Sequence, residues 1–577
     1  MNIMIRYIKK YKKLLALNFI SVFGFVIIEL GLPTLLAKIV DEGIIAQKEE
    51  VIFQYAMMML GIIIIGLIGV LFLAYFAVRI STNVVRDIRD ELFAKTRTFS
   101  ATEVNHFGVA SLMTRTNNDP YQVMLFTQML LRIGMITPIM FVASIVMAIK
   151  TSPSLSLTLA VAFPLLIIAV IWMAILSAPL SRRQQRNLDS INRIMRESLT
   201  GIRVIRAFVR EKFQQGRFEK INDDYTKTSK SLFYLMALAV PAFGILFSSI
   251  IVAIIWFGTN LVGDGSLRIG QLTAFIDYIF HALFSFMMFT TLFAMYPRAA
   301  VSAARIQEVL KTEPNIVEND GGIDVSTLHG VIEFKDVTFA YADGSETPAL
   351  RNISFKAEPG QTIAFIGSTG SGKSTLIQLI PRFYDTNSGS VLIDGIDVKD
   401  MNIHGLREKI GFIPQKAVLF SGSIADNIRY GNPDASLAEI MDACEIAQAK
   451  NFIEKKDGGY EHILSEAGAN LSGGQKQRLS IARALVRKPK IYVFDDSFSA
   501  LDYRTDAILR KELRKHTMDA TVLIVAQRIG TIMHADQIIV IHKGEIVARG
   551  THKQLLRDSE IYYDIAASQL SKEELSC

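Results

Sequence analysis

Two short stretches carry residue types that handle phosphate. In GSTGSGKST, residues 367–375, Gly367, Gly370 and Gly372 lead into Lys373, Ser374 and Thr375. Glycines let backbone N–H groups close around phosphate oxygens, the lysine reaches the β- and γ-phosphates, and the Ser374 hydroxyl suits Mg²⁺. The second stretch, VFDDSFSALD (residues 493–502), ends an apolar run in two acids. Asp495 stands where an acid would direct the magnesium ion. The next acid would orient and deprotonate an attacking water, and glutamate is the residue expected there. Asp496 falls short by one methylene, which withdraws the carboxylate by roughly 1.5 Å from a position where hydrogen-bond reach is required.

A third stretch, LSGGQKQR (471–478), stands just before the helical pattern LSIARALV. Ser472, Gly473, Gly474 and Gln475 at a helix N-terminus form a second anion-binding element. The P-loop already cradles one set of phosphates, so this element serves another nucleotide.

These residues need a scaffold. The apolar strand TIAFI precedes the glycine loop, and the pattern TLIQLIPRF after it predicts a helix. KIYVFD predicts the strand that ends in Asp495. VIEFKDVTFAY alternates as a strand and opens an α/β domain over 331–577. The polar, glycine-containing stretch KTEPNIVENDGGIDVSTLHG, 311–330, reads as a linker.

Residues 1–310 have a different character. The 577-residue chain is half apolar, with a mean hydropathy of +0.31, and the apolar residues concentrate before residue 298. Spans of about 20 apolar residues are expected near 14–40, 54–78, 122–149, 155–178, 232–262 and 271–297. The basic N-terminus resembles a signal peptide, but its apolar run is too long and lacks an A-x-A site, so it reads as a retained first span. Five basic residues precede Leu14, and twelve Lys and Arg lie between Arg182 and Lys227. The segments 41–53, 150–154 and 263–270 carry one each: Lys48, Lys150 and Arg268. This bias places the N-terminus, the two long inner segments and the C-terminal domain in the cytoplasm of a multi-pass cell-membrane protein. It also accounts for the net charge of +7 without nucleic acid, since the basic loop lacks interleaved aromatics.

The inner segments read as membrane helices that continue past the bilayer and turn back at tips near 100–108 and 206–218. Glu29, Asp277 and His281 fall inside spans, the last two on one helix face. Such residues line a substrate or proton pathway, or make interhelical hydrogen bonds. Cys444 and Cys577 offer neither a disulfide framework nor metal-ligand spacing.

With the P-loop, the strand acid and LSGGQ together, the full length resembles an ATP-binding cassette (ABC) transporter, of the exporter type with six spans fused to one nucleotide-binding domain. The resemblance implies a six-helix all-α transmembrane domain followed by an α/β P-loop domain, with ATP and Mg²⁺ as cofactors. It implies that Tyr341 stacks on adenine, that Gln415 contacts Mg²⁺ and senses the membrane domain, that Glu466 lies near the cytoplasmic tips, and that Asp502 sits in a loop crossing to a partner domain. Two such domains would sandwich two ATPs, each between the P-loop of one and the LSGGQ of the other. The chain departs from this pattern twice, at Asp496 and at Gln527, where the family has histidine. Glutamine hydrogen-bonds but does not titrate. Both losses fall in one site whose binding elements remain. The pattern resembles one half of the heterodimeric bacterial multidrug exporters: a slow site of its own, and a signature loop completing a partner's competent site with Glu and His in place. Amphipathic compounds are the expected cargo. The alternatives are a lipid or peptide exporter working as a homodimer, and a non-transporting ATP-gated regulator or channel.

Overall fold

The computed structural model describes residues 2–317, 322–325, 327–341, 347–571 and 575. Cys577 and residues 318–321 and 326 of the expected linker lie outside that set. The chain forms two compact units: Met1–Thr96 with Met113–Thr312, and Arg97–Leu112 with Glu313–Cys577.

Helices dominate the N-terminal part: α1 (Asn2–Ile8), α2 (Lys12–Lys38), α3 (Glu49–Arg97), α4 (Ala101–Phe107), α5 (Val109–Thr151), α6 (Pro153–Thr200), α7 (Ile202–Ala207), α8 (Glu211–Gly263) and α9 (Ile269–Lys311). Among the described residues, six helical segments are long and apolar enough to cross a membrane, at 42 to 53 residues each. A bilayer core needs about 20, so each runs well beyond its apolar window. The two long connecting segments therefore continue the apolar helices, as their apolar periodicity predicts. The first tip forms α4, capped by Ser100 with Glu103 and closed by Gly108 at φ +74°. The second differs from expectation. The chain turns at 208–210 after α7, and residues 211–218 already belong to α8. Val209 makes that turn at φ +53°, an outlier for a β-branched residue.

Within the first unit, α6 packs along α8 and α2 along α9. The α2–α3 crossing is set by glycines: a Cβ on Gly24 would lie 2.7 Å from the Gly69 Cα, and one on Gly69 2.6 Å from the Gly24 Cα. Toward the N-terminal end of α5, buried Asp119 accepts hydrogen bonds from Ser302 (2.9 Å) and Arg305 (2.5 Å) of α9. That pairing covers part of the cost of burying the carboxylate.

The second unit holds the strands β1 (Ile332–Phe339), β2 (Leu350–Ala357), β3 (Thr362–Ile366), β4 (Ser388–Ile393), β5 (Ile396–Asp397), β6 (Ile410–Ile413), β7 (Gly422–Ser423), β8 (Ile463–Leu464), β9 (Ile491–Asp495), β10 (Thr521–Val525), β11 (Gln537–His542) and β12 (Glu545–Gly550). One sheet runs β12-β11-β3-β10-β9-β6, all parallel except β12. Its central strands β9 and β10 are buried at every position, as continuous apolar runs in a covered parallel sheet require. The antiparallel sheet β2-β1-β4-β5 packs beside it. The alternation of β1 breaks at Asp336, whose φ of +47° marks a bulge.

Two local expectations fail. The helix after the glycine loop spans only Lys373–Gln378, because Pro381 lacks an N–H and disfavours helical geometry in the residue before it. Arg382 then turns the chain at φ +51°. Nor are the described parts of 322–330 a free tether. Ile323 bridges to Met401, and Val325 and Leu328 are buried in the core beneath the antiparallel sheet.

Candidate nucleotide site

The parallel sheet gathers the predicted residues at the C-terminal ends of four neighbouring strands. In sheet order, β3 leads to the glycine loop, β10 to Gln527, β9 ends in Asp495, and β6 leads to Gln415. Open α/β sheets bind ligands at this edge.

The loop after β3 requires its glycines. At Gly367 a Cβ would meet the Ile541 carbonyl oxygen at 2.0 Å, and at Gly372, with φ +102°, the Ala349 carbonyl oxygen at 2.7 Å. Only glycine lets this backbone come so close and turn so sharply. Lys373 is buried, and its Nζ donates to the carbonyls of Gly367 (2.9 Å) and Ser368 (2.8 Å). Burial pushes its pKa down, against the opposing pull of Asp496 and Asp495. A buried ammonium held only by neutral carbonyls and a distant hydroxyl suits an anion, and the phosphates of ATP fit it. The Ser374 hydroxyl donates to Asp495 at 2.7 Å. A hydroxyl beside a carboxylate is a donor pair for a hard cation that keeps its remaining oxygens from water and phosphate, so Mg²⁺ fits here. Burial raises the Asp495 pKa, Ser374 opposes this, and the neighbouring charge of Asp496 adds to it.

Asp496 is buried and sits in the left-handed region at φ +46°. One of its oxygens, Oδ2, accepts from Gln527 Nε2 at 2.9 Å and from Gln415 Nε2 at 3.2 Å. Burial raises its pKa, while hydrogen bonds from Gln415 and Ser499 and the charge of Lys373 pull it down. The carboxylate is thus short and also engaged by two amides that cannot take up a proton.

Gln569 was not foreseen. Its Oε1 accepts from the Ile529 N–H and its Nε2 donates to the Gln527 carbonyl, both at 2.9 Å. The C-terminal segment thereby pins the loop that carries Gln527. No local pattern marks this glutamine, because its partners lie some 40 residues upstream.

Tyr341 places its hydroxyl 2.9 Å from Thr375 Oγ1, with its ring edge-on to Phe339 and Tyr384. Ser472 caps the helix Gly473–Leu485 through a reciprocal capping box with Gln475. The Gly473 and Gly474 N–H groups open that helix, where no intrahelical acceptor exists, and a Cβ at Gly473 would meet nothing within 4 Å. Asp502 caps the helix Tyr503–His516. Glu466 is exposed in the turn Glu466–Gly468. The first tip belongs to this unit: Glu103 accepts from the Asn315 N–H at 3.1 Å, and Asn105 reaches the Tyr384 hydroxyl at 3.5 Å.

In the first unit, Glu29 and His281 come together across α2 and α9 at 3.4 Å, and Asp277 lies one turn from His281. Sequence spacing paired the two α9 residues but did not reveal Glu29 as their neighbour.

Comparison with known proteins agrees with this geometry. The family description "ABC transporter transmembrane region" matches residues 15–287 and "ABC transporter" matches residues 350–499. An uncharacterized ABC transporter ATP-binding protein of Mycobacterium tuberculosis is 39% identical over 568 residues, covering 98% of this chain and 97% of the relative. The uncharacterized ABC transporter ATP-binding protein YfiB of Bacillus subtilis is 39% identical over 567 residues, 98% of each chain. ABC transporter B family member 1 of Dictyostelium discoideum is 36% identical over 442 residues, 76% of this chain and 48% of that protein.

Proposed function

This chain belongs to the ABC transporter family, and from that premise we propose that it is the slow-site half of a heterodimeric exporter of amphipathic compounds. It is an ATP-hydrolysing, exporter-type half-transporter embedded in a membrane by six apolar helices. The observation that carries the finer reading is the hold of Gln415 and Gln527 on the Asp496 carboxylate, beside a glycine loop, Lys373 and a Ser374–Asp495 pair with every binding feature in place.

When bound, ATP with Mg²⁺ would supply phosphate charge for the glycine loop and a phosphoanhydride for cleavage. Lys373 would exchange its loop carbonyls for phosphate oxygens, and Ser374 and Asp495 would hold the metal. Tyr341 would stack on the base. Asp496 would orient water poorly, because its carboxylate is short and committed to two amides. The N-terminal helix turn at Ser472, Gly473, Gly474 and Gln475 would meet the nucleotide of a second chain, with Asp502 alongside. That second chain carries the competent glutamate and histidine, and its turnover drives alternating access. The N-terminus and nucleotide domain face the cytoplasm, following the basic residues. Glu466 and the two tips carry the motion between domains. At the second tip, exposed Phe208 and Val209 offer an apolar knob to the partner's nucleotide domain.

Native mass spectrometry of the tagged chain, drawn from its host membrane, tests the reading. A second, non-identical chain of similar mass is expected. Two copies of this chain alone would overturn the heterodimer and require Asp496 to serve as the working base.

A further inference from the structure

We infer that Glu29 and Asp277 form a binding site for a monovalent apolar cation inside the spans, and that His281 is its built-in competitor. The inference rests on the exporter reading and names the chemistry of its cargo. His281 Nε2 lies 3.4 Å from Glu29 Oε2, and among the described residues His281 is the charged group that acts on Asp277. The flanking basic residues are distant. Lys38 is nine residues from Glu29, and Arg268 nine from Asp277, about 14 Å along each helix. Two carboxylates therefore face at most one imidazolium.

An uncompensated anion is expensive among apolar helices and does not face lipid. The side chains remain accessible on this chain, 34% for Glu29 and 18% for His281, so a counter-cation can reach them. Beside them stand two exposed aromatics. Phe280 and Phe284 stack at 5.9 Å, and the Phe280 ring lies edge-on to His281 at 5.8 Å. Phe247 tilts against Phe280 from α8 at 6.3 Å. Carboxylates flanked by partly exposed aromatic rings suit a cation with an apolar body, through charge and cation–π attraction together. A hard metal ion would need six or more oxygens. Anionic cargo would be repelled.

The probe is tetraphenylphosphonium, with triphenylphosphine oxide as its neutral counterpart, in equilibrium dialysis against the complete purified complex. Glu29→Gln and Asp277→Asn should each weaken tetraphenylphosphonium binding by about tenfold, leave the neutral probe unaffected, and be reversed in part by Glu29→Asp at the first position. His281→Gln should tighten binding several-fold, a gain that misfolding cannot produce. Unchanged cation binding in both carboxylate variants, equal losses for the neutral probe, or weaker binding in His281→Gln would each overturn the site. ATP-driven accumulation of tetraphenylphosphonium in inside-out vesicles separates the two levels. Charge-dependent binding without accumulation supports the site and removes the exporter reading. Accumulation that the carboxylate variants leave intact removes the site and keeps the exporter.

Discussion

Two corners of the second unit offer themselves to phosphate in opposite ways. At the P-loop corner, the groups that would act on a nucleotide already hold one another: Lys373 its own loop carbonyls, Ser374 the carboxylate of Asp495, and Asp496 the amides of Gln415 and Gln527. At the signature corner, Ser472 and Gln475 satisfy each other, and the glycine N–H groups of the helix start are left open. The first corner is self-satisfied and exchanges partners on binding. The second is preorganised, its helix start fixed by the Ser472–Gln475 capping box. Preorganised donors accelerate chemistry more than groups that must first break internal bonds. On the heterodimer proposed above, the signature corner would meet the faster-hydrolysed nucleotide, the one held by the second chain.

The sharpest way to break this contrast is Ser472→Ala. ATP turnover of the assembled complex, read as phosphate release, should fall on the order of 100-fold. A small loss would make the two corners equivalent. Lys373→Ala should cost this chain roughly tenfold or more in photolabelling by azido-ATP, and undiminished labelling would deny the P-loop its nucleotide. Gln569→Ala removes two hydrogen bonds from the Gln527 loop and should lower the stability of the second unit by about 1–2 kcal/mol, seen as a lower unfolding midpoint of the full chain. An unchanged midpoint would show that the C-terminal segment does not restrain the loop. The smallest effect is expected at Asp496→Ala, with turnover of the complex staying within about twofold of the starting protein. A collapse there would reverse the assignment of fast and slow corners.

Much of this was legible in the residues because its causes are local. A glycine loop between an apolar strand and a helix start needs no distant information, and neither does a Ser-Gly-Gly-Gln helix cap. Six apolar runs of spanning length likewise announce themselves by composition. What stayed hidden depends on remote neighbours or on punctuation passed over. Pro381 ends the P-loop helix early, and Asp336 bulges β1. The second tip turns before Glu211, at a valine that no turn preference marks. Gln569 meets the Gln527 loop, and Glu29 meets His281, only because tertiary packing brings them together. The amide hold on Asp496 belongs to the same class. Residue types revealed two unusual side chains, and the sheet order made them neighbours.

The contact between Gly24 and Gly69 constrains how this sequence can change. Each glycine leaves no room for a single carbon on the other, so α2 and α3 meet backbone to backbone. In most cores a larger residue on one side can be absorbed by a smaller one opposite. Here neither partner has a side chain left to surrender. A side chain at either position therefore requires the two helices to move apart, and a change at the facing glycine cannot make the room.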